Sequence, residues 1–351
     1  LSGKADFMAD SQLQRFFNRQ LETWELARKN FRDLQNVKTR ELVVGDNTLH
    51  VQFNPARIVS TGAKIDKKAI AGRPCFLCDA NRPKEQIAKE LDADFKLLVN
   101  PYPILPTHFT VPARHHQPQS ILSHYGEMHK LLSLYPELMV FYNGPKCGAS
   151  APDHLHFQAG SNGVVPLQTG WQRLSRNRTT VYALSDDEDI SLVNDYVCPL
   201  FLIRSKSPKA DARLFTKLYH AMPQAKGETE PMMNILAWRQ GGVFLSVVFP
   251  RRKHRPDCYQ AEGAARRMVS PGALDMAGLI ITPREEDFQQ LSAQDVEHIL
   301  QEVGADETMV KGIVEKLKES AQREETCSVG NSFGHHEPVV SVGIVSGQEI
   351  H

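Results

Sequence analysis

The sequence predicts an α+β protein of antiparallel strands flanked by helices. Short apolar runs of strand length recur, among them Phe95–Val99 and Leu138–Tyr142. Two stretches read as β-hairpins: Leu42–Phe53 around Gly45-Asp46-Asn47, and Asn234–Trp238 with Val243–Phe249 around Arg239-Gln240-Gly241-Gly242. Between them lie segments whose apolar residues recur at helical spacing.

Composition narrows the functional classes. The 351 residues suffice for one large or two medium domains. Lys plus Arg and Asp plus Glu both number 41, so the neutral chain has no general attraction for nucleic acid or an anionic membrane. No run approaches the roughly 20 apolar residues that span a bilayer. The opening Leu1-Ser2-Gly3-Lys4 carries neither a starting Met nor an apolar signal core, which fits an internal start. Six cysteines in this length do not make a disulfide framework. The expectation is a cytoplasmic protein with reduced thiols and no membrane or nucleic-acid partner.

In chain order, residues 11–35 read as one amphipathic helix through Leu13, Phe16, Phe17, Leu21 and Trp24, capped by Asp10 or Ser11. The pair Cys75-Phe76-Leu77-Cys78 can point two thiolates at one tetrahedral ion, and reads equally as two buried or redox cysteines. After the strand Phe95–Val99, Pro101, Pro103 and Pro106 make a rigid extended crossing into Phe109-Thr110-Val111. His108 on this crossing is read as packed. Ser120–Tyr135 is a helix ended by Pro136.

The stretch with most chemistry is Asn143 to Gln158, after the strand Leu138–Tyr142. Gly144, Gly148, Ala149 and Ser150 make a loop of small residues, close enough in bulk for a phosphate to approach the backbone. A second strand follows, and successive side chains on a strand point to opposite faces. His154, His156 and Gln158 are therefore expected on one face, about 7 Å apart, with Leu155, Phe157 and Ala159 on the other.

The sequence His154-Leu155-His156-Phe157-Gln158 behind a small-residue loop resembles the histidine-triad superfamily. It is most similar to the His-x-His-x-Gln branch: galactose-1-phosphate uridylyltransferases, diadenosine tetraphosphate phosphorylases and GDP-hexose phosphorylases. Two further stretches share the resemblance: Cys75–Cys78 followed by Asn81-Arg82, and Asn100-x-x-Pro103-x-x-Pro106-x-His108-Phe109. The resemblance spans roughly residues 70–285. It implies a HIT-like fold of two related halves, each an antiparallel sheet flanked by helices. It also implies structural zinc on Cys75, Cys78, His154 and a third-segment histidine matched to His115, with His116 and His108 as alternatives. Two sulfurs and two imidazoles suit zinc and leave no position for a reactive water. The same resemblance brings Asn100 near the nucleotide and makes Ser161 a phosphate contact.

The second half reads as a strand Tyr196–Ile203, a helix Pro208–Ala221, the hairpin already named, and helices over 288–319 in which Ser292 supplies a cap. The acidic run Asp186–Asp189 is assigned no role. Most of Arg251–Arg255 reads as a solvated basic patch, with one or two cations free to reach phosphate. The divisions expected are 1–194 and 195–326 as the two halves, and 327–351 as a tail or the start of a further segment. Val339–Val345 in that tail reads as a strand and His335-His336 as a loop.

The expected function is a nucleotidyltransferase or phosphorylase. Its substrate would be a nucleotide sugar or a dinucleoside polyphosphate, with phosphate or a sugar 1-phosphate as acceptor. His156 would be the nucleophile that carries the nucleotidyl group. The amides of Gly148, Ala149 and Ser150, with Asn143 and Lys146, would hold phosphate oxygens. Gln158 can donate a hydrogen bond but cannot act as a general acid near neutral pH, which favours transfer over hydrolysis. The rival readings are a histidine-triad hydrolase, a zinc hydrolase with an open metal, and a non-catalytic zinc-stapled module.

Overall fold

The computed structural model describes residues 12–331. The expected cap at Asp10 or Ser11, the loop at His335-His336 and the strand Val339–Val345 lie outside the described residues. The strands are β1 (Lys38–Val44), β2 (Asn47–Phe53), β3 (Ala88–Glu90), β4 (Lys96–Val99), β5 (His108–Pro112), β6 (Leu138–Asn143), β7 (His156–Ser161), β8 (Arg178–Ser185), β9 (Glu188–Val193), β10 (Leu200–Ser205), β11 (Met233–Gln240), β12 (Val243–Pro250) and β13 (Leu279–Thr282). Ten of them form one sheet in the order β3-β4-β5-β7-β6-β11-β12-β10-β9-β8.

That order is a repeat. Counted outward in, the first set runs first, second, third, fifth, fourth in chain order (β3-β4-β5-β7-β6), and the second set does the same from the other edge (β8-β9-β10-β12-β11). The helix Tyr125–Leu134 lies between the third and fourth strands of the first set, and Pro208–Ala221 lies at the same place in the second. The fold is therefore α+β with two related halves, joined at the centre by antiparallel pairing of β6 with β11, Asn143 opposite Asn234. The repeat is in the topology and has no visible counterpart in the sequence. β9 pairs with β10 and β8 with β9, two strands that the sequence reading did not identify, so a division at 194/195 falls between two hydrogen-bonded strands.

Both faces of the sheet are covered, and alternation along the central strands decides which residue goes where. Leu138, Val140 and Tyr142 of β6 join one core with Leu13 and Phe17 of the first helix, the two repeated helices, and Ile313 and Leu317 of the last. Met139 and Phe141 join the other core, with Leu49 and Val51 of β2, Ile280 of β13, and Val296 and Ile299 of the helix Ala293–Val303. A separate sheet, β1-β2-β13, covers this second face; β13 lies parallel to β2.

The β1–β2 hairpin turns through Gly45 at φ +55°, and the β11–β12 hairpin through Gly241 and Gly242 at +58° and +82°, conformations that favour glycine. The first helix is broken at Trp24, which adopts extended backbone and separates Gln12–Thr23 from Glu25–Leu34. At the other end, the helix Glu307–Asn331 runs through the expected change of character at residue 327. No helix among the described residues is long and apolar enough to cross a membrane.

Gly160 on β7 marks how tightly the proline-rich crossing lies on the sheet: a Cβ there would come within 2.5 Å of Leu105 Cδ1 and of the Thr107 carbonyl oxygen. Gly160→Ala should cost about 1–3 kcal/mol by overpacking. Urea unfolding of the variant against the parent chain measures this.

Candidate functional site

The site lies where β6 and β7 meet the loop that joins them, residues 144–155. One buried carboxamide clamps both ends of that loop. Gln119 Nε2 donates to the carbonyls of Asn143 (2.9 Å) and His156 (3.0 Å), and its Oε1 accepts from the His156 N–H (2.8 Å). Gln119 precedes the helix in an unremarkable stretch, and no short motif marks it.

Several of the loop's carbonyls are bonded within the protein. Those of Gly144, Ala151 and Pro152 accept from the N–H groups of Cys147, His154 and Gln119. Cys147 O accepts from Asn234 Nδ2 (2.7 Å), and Ser150 O from Arg73 (3.1 Å), which also reaches Asp153 (3.0 Å). The consecutive N–H groups of Gly148, Ala149, Ser150 and Ala151 have no acceptor among the described residues. A run of free main-chain donors is an anion-binding arrangement. Gly148 has φ +94°, and a Cβ on it would stand 2.8 Å from Gly272 Cα, so glycine is required twice over.

His156 opens β7. Its Nδ1 lies 2.8 Å from the His154 carbonyl oxygen. A carbonyl can only accept, so Nδ1 carries the proton and Nε2 keeps a lone pair. Burial first, and then the neighbouring His154, lowers its pKa to about 4, so the ring is neutral at physiological pH. His156 keeps 5% of its surface exposed, whereas His154 and His108 keep none. Of the three residues, it alone keeps any exposed surface.

Gln158 shares the His156 face, opposite Phe141 and Thr110 in register. Its orientation comes from His108, which proves to be more than packing. Ile104 N–H donates to His108 Nδ1 (3.1 Å), so His108 Nε2 carries the proton and donates to Gln158 Oε1 (2.9 Å). The Gln158 amide N–H2 then has no acceptor among the described residues. Burial, with the Arg57 cation second, holds the His108 pKa down to about 3.

His154 does not lie on the strand face with the other two, as the alternation predicted. The turn at Pro152-Asp153 leaves it in a bend before β7, and its ring faces away to a different cluster. His154 Nδ1 lies 3.3 Å from Cys75 Sγ and 3.5 Å from Cys78 Sγ, while its Nε2–H donates to the Ala113 carbonyl (2.8 Å). The fourth member is His116, with Nδ1 3.3 Å from Cys78 Sγ. His115, the residue expected there, is not in the cluster. Main-chain bonds from Arg114 to Asp94 and from Leu155 to Gln117 tie both ends of this short arc, and the turn between them presents His116 to the thiols.

The four donor atoms of Cys75, Cys78, His116 and His154 lie within 4.8 Å of one another. Bonds of about 2.0–2.3 Å to a tetrahedral ion imply ligand separations of about 3.3–3.8 Å, which the observed contacts match. The Cys78 thiol is pushed up by burial and then by adjoining Cys75, a crowding that a bound cation would relieve. The cluster can hold a metal ion.

The remaining expected residues are placed as follows. Asn143 Oδ1 accepts from Asn234 Nδ2 (2.8 Å) and Ala273 N–H (2.7 Å), leaving its N–H2 as the group without an acceptor among the described residues. Lys146 is exposed and paired with Glu228. Asn100 closes its own turn, accepting from Tyr102 N–H and donating to Thr110 Oγ1. Ser161 is at the far end of β7, five residue rises or about 17 Å from His156. Its hydroxyl accepts from Thr107 N–H, so it cannot share a phosphate with His156. The basic run is neither a solvated patch nor a free phosphate clamp. Arg252 and Lys253 pair with Asp306, Asp257 and Glu302, and Arg255 binds Ser270 and the carbonyls of Thr61 and Ala63.

Comparison with solved structures gives the fold a name. Yeast Ap4A phosphorylase Apa2 in complex with Ap4A aligns over 84% of this chain and 98% of its own, at 17% identity and a TM-score of 0.55. The same enzyme in complex with AMP aligns over 81% and 96%, at 16% identity and a TM-score of 0.52. The chain has the histidine-triad-like fold of that branch. Within this HIT-like frame, residues 16–161 match the model of a family described only as a domain of unknown function (DUF4922), a span that ends with β7. No curated protein sequence matches the chain.

Two expected outcomes follow from this geometry. His116→Ala should abolish stoichiometric metal binding, measured on the purified chain by elemental analysis, and His115→Ala should leave it intact. For His108, an unfolded chain takes up a proton below pH 6.5 that the folded one refuses until about pH 3. Its share of stability is therefore present above pH 6.5 and is lost as the pH falls through that window. His108→Asn should shrink the stability difference between pH 6.5 and pH 4.5 by about 2 kcal/mol in urea unfolding.

Proposed function

We propose that this chain is a nucleotidyltransferase or phosphorylase that works through a nucleotidyl-histidine on His156. The observation that carries the reading is the tautomer. With its proton held on Nδ1 by the His154 carbonyl, the ring offers a lone pair at Nε2, and the loop that leads into it carries four amides without an acceptor among the described residues. In the first step Nε2 bonds to the α-phosphorus and the phosphorus–oxygen bond to the leaving phosphate breaks, with its electron pair going to that oxygen. In the second, an oxygen of the acceptor attacks phosphorus, the phosphorus–nitrogen bond breaks, and Nε2 recovers its lone pair. The Nδ1 proton stays where it is throughout.

The amides of Gly148, Ala149 and Ser150, the free N–H2 groups of Asn143 and Gln158, and Lys146 are proposed to hold phosphate oxygens as charge develops. Gln158 supplies no proton, so the leaving group must depart as a stable phosphate anion, which suits transfer over hydrolysis. We take the substrate class to be a dinucleoside polyphosphate or a nucleotide sugar, and the acceptor to be phosphate or a sugar 1-phosphate. The likeness of fold to an enzyme solved with Ap4A and with AMP supports that class. Asn100 and Ser161 are left out of the site because their side chains are engaged elsewhere.

Zinc is the proposed ion for Cys75, Cys78, His116 and His154, in a structural role: four protein donors leave no open position, so it would brace His154 and supply no nucleophile. For domain organisation we propose two halves meeting between β6 and β11, the second beginning at β8.

The test is to incubate the chain with radiolabelled Ap4A and ADP-, GDP- and UDP-sugars and to look for acid-labile label on protein. Label on the parent chain and none on His156→Ala is expected. Label that persists in His156→Ala removes His156 as the nucleophile.

A further inference from the structure

β12 ends at Pro250, and the next side chain, Arg251, turns under the loop 144–155 with only 2% of its surface exposed. All five of its N–H groups are used. Nε donates to Val303 O (3.0 Å); one terminal nitrogen donates to Asn234 Oδ1 and to Pro271 O (3.0 Å); the other donates to Lys253 O (3.0 Å) and His254 O (3.1 Å). Every one of these acceptors is neutral, so the guanidinium is satisfied in hydrogen bonds without a carboxylate in contact. Buried charges ordinarily have a counter-ion.

No carboxylate is in direct contact with the guanidinium among the described residues, and the charge of Asp275, which does reach it, is divided with Arg57. Asp275 accepts from Gly272 and Ile281 N–H groups and faces a second cation, Arg57. Glu230 accepts from Tyr142 OH and Ile121 N–H. Burial raises the Glu230 pKa to about 7 and the Asp275 pKa to about 6, so Asp275 is the carboxylate that is mostly ionised at neutral pH, and it stands between two cations. On its loop side Arg251 acts through Asn234, whose Nδ2 donates to Cys147 O and Asn143 Oδ1. It also acts through Pro271 O, which would be 3.3 Å from a Cβ on Gly148. Directly beyond lie the unpartnered amides.

We infer that Arg251 is a phosphate-positioning residue: the second half supplies through it both the support of the 148–151 amides and the positive charge that a bound substrate phosphate neutralises. The inference rests on the proposed function of the same loop and names the charge that this loop is built over.

The experiment measures affinities of the full chain for AMP, ADP and inorganic pyrophosphate by calorimetry at two ionic strengths, in parallel with the labelling assay. Arg251→Gln should weaken all three by roughly tenfold or more and flatten their salt dependence. Arg251→Lys keeps the charge while losing most of the hydrogen bonds, and should retain most of the affinity and the salt dependence. Equal loss in the Lys and Gln variants would assign the residue to packing alone and overturn the inference, as would unchanged affinity in Arg251→Gln.

If that variant does not fold, Asn234→Asp sets a carboxylate against the guanidinium. Weakened anion binding is then expected, and unchanged binding overturns the proposal. Anion binding by the parent chain without any acid-labile label would remove the catalytic reading and leave Arg251 in place. Label with Arg251-independent affinity would do the reverse, and a parent chain that binds none of the three anions removes both.

Discussion

The backbone carbonyl of His154 takes the Nδ1 proton of His156 while the ring of the same residue stands between two cysteines and the Ala113 carbonyl. This single residue joins a thiol–imidazole cluster to the imidazole next along the chain. Rotate its peptide and the His156 ring loses the acceptor that fixes its tautomer. Withdraw the thiols and its ring loses what holds it in the bend before β7. Gln119 makes the arrangement rigid from the other side, because one amide spans the end of β6 and the start of β7. The neutral state of His156 comes from burial, which disfavours the imidazolium and outweighs the pull of the His154 carbonyl toward the charged form.

The two halves share a strand order but not a chemistry. In the first, residues 144–155 join the fourth strand to the fifth; in the second, Gly241 and Gly242 do so in a tight hairpin. Every histidine and cysteine of the site belongs to the first half. The second contributes from beneath: Asn234, opposite Asn143 in the central strand pair, reaches across to the loop, and Arg251 stands behind Asn234. The duplicated architecture thus supports one loop with the floor of its twin.

Much of the frame was legible because it is written in local pattern. Leu138–Tyr142, the two hairpins and the helix Pro208–Ala221 announce themselves by period and turn residues, and the structure builds each of them. What stayed hidden depends on contacts between distant segments. His115 and His116 are indistinguishable in sequence; bonds to Asp94 and Leu155 choose between them. Ser161 looked close to His156 in number, but a strand converts five residues into about 17 Å. β8 and β9 carry exposed threonines and an acidic turn, so the pattern marks no strand there, although Asp189 is buried between Arg178 and Arg204. Gln119 has no motif at all, and Arg251 reads only as one cation of a basic run. Their roles come from where the fold brings them.

The small sheet has a history built into it. β2 belongs to the opening hairpin, yet its parallel neighbour β13 comes from the far end of the described chain. During synthesis the hairpin leaves the ribosome long before the strand that covers its inner edge exists. Until then a row of free backbone donors and acceptors is open to whatever other chain passes. The covering strand follows directly from the short helix that begins at Ala273, whose N–H binds Asn143. The last part of the small sheet to arrive therefore comes with a contact to the end of β6, so an unfinished chain carries its histidines before Asn143 is held in place beside them.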